Sequence, residues 1–389
     1  MQSEVGGEMK KNRKKVLVWI LFMPVLVRLF IPCQLVYGAE LSIEDYNFSE
    51  IEEELTKQGA TDFSFEDIVK QLLKGNITEV IQMLGDGVVS MILNEVIGNK
   101  KLLIQLIAVA IFSAIFTNFS NAFSSEHVAE TGFFVTYLVI FTILATSYGL
   151  ASVMTKTVIS QLLTFMKVLI PAFCMSITTA GGFTSSAGVY GILMLAVFVA
   201  DYFILTIVLP FTNLYFILQL VDHLNEAQPF SRFAEFIQKG IDWALKSLFT
   251  AIAGVQVLQS LLLPAIDSMK GTVVQRGVSF IPGAGQAISS VLSTMLGAGV
   301  IIKNSIGVAG LLCILFLISL PVMKLCIFSF GYQLVSASLQ PIADKRITDC
   351  IYSAGQCTKM LLKIIWVVSA LFMLSLALAV ASTNATYFA

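Results

Sequence analysis

Apolar runs close to the ~20 residues that carry a helix across ~30 Å of hydrocarbon recur from Leu102 to the end of this chain. Six are plain: 102–119, 133–152, 189–209 (continuing past Pro210 to Val221), 244–263, 306–330 with Pro321 inside, and 361–381. None alternates polar with apolar positions. Each therefore predicts a helix rather than a strand of a closed barrel, the two forms that satisfy a backbone in lipid. Two further segments differ. Residues 158–179 carry Lys167 and Pro171 and run into Ala180-Gly181-Gly182, while residues 278–302 carry Pro282, Gly283, Gly285, Gly297 and Gly299. The expected fold is all-α, a polytopic transmembrane helical bundle of six to eight spans, with an internal duplication and Pro/Gly-broken helices.

Before the apolar region the pattern is different. Lys10, Lys11, Arg13, Lys14 and Lys15 precede an apolar core from Val16 to Val27, and Val36-Tyr37-Gly38-Ala39 supplies small residues at its exit. This is the layout of an export signal over residues 1–39. Arg28 ends the core too early for a span; an uncleaved anchor reaching Val36 is the alternative. Residues 40–101 then form an extracytoplasmic acidic segment. From Glu40 to Asp67 there are ten acidic residues and one basic, a run that reads first as solvation and second as a docking site. Ser64 and Asp67 make a capping signal for a short helix through Leu73. Residues 78–97 are amphipathic and predict a helix lying on the membrane. Residues 102–389 form the membrane domain.

Within that domain the prolines pair at a nearly constant spacing: Pro171 with Pro282, Pro210 with Pro321, and Pro229 with Pro341. The pairing predicts two repeats, 133–243 and 244–360, each a plain helix, a broken segment, a long Pro-containing helix and an amphipathic stretch. Broken segments that span give inverted units and eight crossings. Segments that dip and return give parallel units and six crossings. The second arrangement puts Arg232, Lys239, Lys345, Arg346 and Lys359 in the cytoplasm, as the positive-inside rule prefers, and is the one expected here.

Composition adds exclusions. The chain is 57% hydrophobic and 13% charged with net charge −1, and its mean hydropathy is +0.84 with pI near 6.2. Nothing calls for nucleic acid, and a soluble domain could not hide so much apolar surface. Six cysteines without a C-x-x-C pair and two isolated histidines predict no metal and no cofactor. There is no H-E-x-x-H, no Walker loop, no G-x-G-x-x-G opening a helix and no G-x-S-x-G, so an enzyme is not expected.

Candidate site residues come from the membrane domain. Broken helices are tolerated in lipid where protein or a water-filled cavity satisfies the freed backbone. Pro171, Gly181 and Gly182, and Pro282, Gly283 and Gly285, are therefore candidates to line a pore or site. The competing reading is that the small residues only let helices pack closely. Asp201 lies within an apolar run, and an intramembrane carboxylate is a functional suspect; Lys167 could partner it. A structural hydrogen bond between helices is the equal alternative for Asp201. Gln256 and Gln259 read as interhelical hydrogen bonds, and Lys303 and Lys324 as snorkelling side chains.

The segment Phe280-Ile281-Pro282-Gly283-Ala284-Gly285-Gln286-Ala287-Ile288-Ser289-Ser290, the stretch from Phe233-Ala234-Glu235-Phe236 to Trp243 and the overall layout resemble the stage III sporulation protein AE family of endospore-forming bacteria. That resemblance implies a membrane component of the secretion-like channel complex connecting mother cell and forespore, required for spore development and sited in the outer forespore membrane. It implies as partners the other stage III sporulation A proteins, among them the ATPase and the ring-forming subunit, and stage II sporulation protein Q, besides the lipid bilayer. An autonomous secondary transporter with an intramembrane Asp site is the alternative function.

Overall fold

The computed structural model describes residues 46, 48–57, 64–80, 104, 108, 111, 115, 126–225, 228–279, 285–341 and 343–384, all within one unit, Ser42–Ala389. The export signal lies outside the described residues, as do most of the run 102–119 and of the amphipathic segment 78–97. Among the described residues all regular structure is helical. Two short helices come first, α1 (Ser49–Lys57) and α2 (Phe65–Leu73). Ser64 caps α2 by accepting from the Asp67 amide at 3.4 Å, as the S-x-x-D signal predicts. Phe48, Ile51, Leu55, Phe65, Ile68 and Val69 are buried between α1, α2 and the long helices.

Long helices follow: α3 (Glu126–Thr179), α4 (Phe183–Phe203), a π-helical turn (Ile204–Val208), α5 (Leu209–Asp222), α6 (Ser231–Ser279), α7 (Gly285–Leu339) and α8 (Lys345–Asn384). Five stretches within them, 131–179, 185–222, 231–262, 294–339 and 345–383, are long and apolar enough to cross a membrane. The sequence reading separated 133–152 from 158–179. In the structure both belong to α3, because residues 153–157 contain no helix breaker and Pro171 is accommodated inside the helix. Likewise 285–302 joins 306–330 in α7, with Pro321 inside. Pro171 thus sits mid-helix in α3 and Pro321 mid-helix in α7, while Pro282, paired with Pro171 in the expected duplication, lies outside the described residues.

Antiparallel contacts give the bundle two distinct ends. At the first, Tyr137 of α3 donates to the Leu220 carbonyl of α5, Ser336 of α7 donates to the Thr348 carbonyl of α8 at 2.8 Å, and the Arg346 guanidinium lies 3.5 Å above the Phe133 ring. Arg232 and Lys345 open α6 and α8 here, beside Arg346, which is paired with Asp344 at 3.3 Å; for these Lys and Arg residues it is named the basic end. At the second, acidic end, Tyr46 and Thr179 hydroxyls are 2.6 Å apart, and α1 and α2 pack against α3 and α7.

The core forms where α3, α7 and α8 meet. Leu169 and Phe173 of α3 face Gly310 and Gly307 of α7, with Leu376 and Val380 of α8 on the other side. A Cβ on Gly307 would lie 2.3 Å from Val380 Cγ2, and one on Gly310 would lie 2.6 Å from Leu169 Cδ2. Small residues let membrane helices approach this closely. Burial inside the bundle falls from 61% for the α8 window to 17% for that of α6, so α8 is the central helix and α6 the peripheral one. Serine and threonine hydroxyls within the bundle donate back to carbonyls one turn earlier, as Thr155 does to Ala151 and Ser369 to Ile365, both at 2.8 Å, which satisfies them without water.

Candidate functional site

Lys167 on α3 and Asp201 on α4 meet, Nζ to Oδ2, at 3.2 Å. Both side chains remain partly exposed, 48% and 37%, on the outside of the α3–α4 pair. Two helix irregularities flank them. Pro171, one turn beyond Lys167, has no N–H to offer the Lys167 carbonyl. Just past Asp201 the helix widens into the π turn, closed by the Leu209 amide donating to the Ile204 carbonyl. Pro210 accounts for that turn: it cannot donate to the Thr206 carbonyl, and its ring crowds it. An ion pair between two helices thus sits beside backbone whose hydrogen bonding is loosened on both.

The glycines lie elsewhere. Gly181 ends α3 with φ of 87°, the left-handed conformation that closes a helix and that a Cβ disfavours. Its amide donates to the Thr178 carbonyl at 2.9 Å, and the Gly182 amide donates to the Ile177 carbonyl at 3.0 Å. Gly182 then precedes α4. Gly299 of α7 packs on this turn so closely that a Cβ there would lie 2.8 Å from the Thr179 carbonyl oxygen. The two glycine-bearing segments singled out from the sequence therefore touch, at the acidic end. Gly285 opens α7; Pro282 and Gly283 lie outside the described residues. Lys167, Pro171 and Asp201 form one cluster, and Gly181, Gly182 and Gly299 form another about 20 Å along α3 at 1.5 Å per residue.

Sequence reasoning missed two features. Asp242 of α6 and Lys363 of α8 form a second interhelical ion pair; the charges were visible, but each stood at the margin of an apolar run and only packing joins them. Lys303 does not snorkel: it is fully buried and donates to the Thr383 hydroxyl at 2.8 Å. Gln256 makes the expected interhelical bond, Nε2 to Ser375 Oγ at 2.6 Å, while its Oε1 and Gln259 Nε2 are buried without a partner. Among the described residues no cluster of His, Cys, Asp and Glu could hold a metal.

Long apolar helices packed through glycine contacts and interhelical ion pairs define a polytopic helical membrane protein. The model of the stage III sporulation protein AE family matches residues 63–383, and the chain belongs to that family. A relative from Bacillus subtilis (strain 168), described as "Stage III sporulation protein AE", is 25% identical over 298 residues, covering 76% of this chain and 75% of the relative. No solved structure matches the chain. The family is one of sporulation proteins rather than an enzyme family.

Proposed function

We propose that this protein is the membrane subunit of a secretion-like channel complex between mother cell and forespore, residing in the outer forespore membrane and required for spore development. The observation that carries this reading is family membership across nearly the whole membrane domain, residues 63–383. A gate or scaffold role is supported by the polar features of the bundle, which among the described residues are largely interhelical ties such as Lys167–Asp201, Asp242–Lys363 and Gln256–Ser375. Its partners on this reading are the other stage III sporulation A proteins, including the ATPase and ring-forming subunits, and stage II sporulation protein Q. The basic end faces the mother-cell cytoplasm, and the acidic end with α1 and α2 faces the space between the two membranes.

Deletion of the gene, with expression restored separately in each compartment, tests this. Heat-resistant spores should return when the chain is made in the mother cell and not when it is made only in the forespore, and an affinity-tagged chain should co-purify the ATPase subunit. Rescue from the forespore alone would contradict the location. The Lys167–Asp201 pair beside the π turn favours a second reading, an autonomous secondary transporter. On that reading the chain reconstituted alone would move solute without the ATPase.

A further inference from the structure

The five apolar stretches run from 32 to 49 residues, whereas about 20 residues cross the hydrocarbon. Lipid therefore meets only part of each, and charge decides which part. In the sequence, residues 247–266 of α6, 304–323 of α7 and 364–383 of α8 carry no charged side chain, each about 30 Å of helix.

Packing brings these three windows level. Asp242–Lys363 marks their edge toward the basic end. Gln256–Ser375 and the approach of Gly310 to Leu376 lie inside. Lys303–Thr383 marks the other edge. Helices α3 and α4 enter the same slab through Leu169 and Phe173, which face Gly310 and Gly307, and through Ser186, which donates to the Cys174 carbonyl at 2.7 Å. There they bring Lys167 and Asp201, bonded to each other. The rest of the bundle, toward the basic end, holds Glu235, Lys239, Asp242 and Lys246 on α6, Lys324 on α7, and Lys359 and Lys363 on α8. Its register is set by Ser147 with Tyr332, 2.5 Å apart, by Ser329 donating to the Gly355 carbonyl at 3.1 Å, and by Tyr137 with Leu220.

We propose that bilayer hydrocarbon surrounds the slab bounded by Lys303–Thr383 on one side and by Asp242–Lys363 and Lys324 on the other, and that the half of the bundle nearer the basic end stands clear of it. The uncharged stretches 131–155 of α3 and 202–221, from the end of α4 through the π turn and α5, would favour the opposite placement. That placement sinks every charge named on α6, α7 and α8 into hydrocarbon, and a Lys or Asp at mid-membrane costs roughly five or more times what a Leu or Phe returns. The proposed slab contains one ion pair whose members neutralise each other, and the charges at its edges have partners within the bundle, Lys363 with Asp242 and Lys303 with the Thr383 hydroxyl. The inference rests on charge and register within this bundle and not on the sporulation reading.

Site-directed spin labels test it, using the full chain freed of its cysteines and reconstituted into phosphatidylcholine vesicles. Labels go at positions exposed on the bundle: Phe198 and Leu258 in the slab, and Leu138, Leu214 and Phe236 in the other half. Collisions with oxygen, which concentrates in hydrocarbon, are compared with collisions with a water-soluble nickel chelate. Oxygen should dominate several-fold at 198 and 258 and at none of the other three. Oxygen dominance at 138, 214 and 236 would overturn the proposal, as would chelate access at 198 and 258.

Discussion

At the scale of single residues, Asp201 and Gly181 illustrate opposite kinds of constraint. Asp201 is held by what it meets. Replacing it with Leu leaves Lys167 as a lone charge among apolar side chains, a burden of about 2.5–3.5 kcal/mol on the insertion scale. Asp201→Leu should abolish heat-resistant spore formation with the protein still inserted and abundant on immunoblots of membranes, and Asp201→Glu should retain it. Wild-type sporulation in Asp201→Leu would remove the functional reading of the pair. Gly181 is held by its own backbone. With φ of 87°, Gly181→Ala should cost about 1 kcal/mol. Gly299→Leu should cost more, about 1–3 kcal/mol of overpacking against the Thr179 carbonyl. Thermal unfolding in detergent compares the two, and equal melting temperatures for wild type and Gly299→Leu would show that the α3–α7 approach is looser than the geometry states.

Among the helices, the π turn is the feature with a single identifiable cause. Pro210 removes one donor from the ladder of the α4–α5 helix and forces the wider turn across Ile204–Val208. Pro210→Ala restores the missing amide, so this segment should return to α-helix. Amide exchange at residues 204–208 should then slow in the variant, and unchanged exchange would assign the turn to packing instead. The helix lengths were less legible. A sequence window of twenty apolar residues marks a crossing, yet nothing in 153–157 ends a helix, so α3 runs on through Lys156 and Lys167 and past Pro171 to the glycines that can stop it.

Over the whole molecule, the basic residues of Arg232, Lys345 and Arg346 gather at one end although they lie far apart in the chain, and the acidic α1 and α2 dock at the other. Single cysteines in a cysteine-free chain test the orientation this implies. A membrane-impermeant maleimide added to intact cells should label Glu53→Cys and spare Lys345→Cys until the membrane is opened. Labelling of Lys345→Cys from outside would reverse the bundle.

Hydropathy alone was enough for the helical membrane class, because a bilayer accepts few backbone solutions and a chain with so few charges per apolar run can only be helical there. Local rules were equally readable where the interaction is local, as in the Ser64 cap. Pairing was not. Lys167 could be named as a possible partner for Asp201, since both are charges within apolar runs, but that the two meet, that Asp242 finds Lys363, and that Lys303 is buried against Thr383 rather than snorkelling all depend on helix register, which hydropathy leaves free because lipid tails are as apolar as Leu and do not distinguish one face from another. Register was decided by shape, through glycines on α7 that let α3 and α8 approach until only one alignment of their side chains fits.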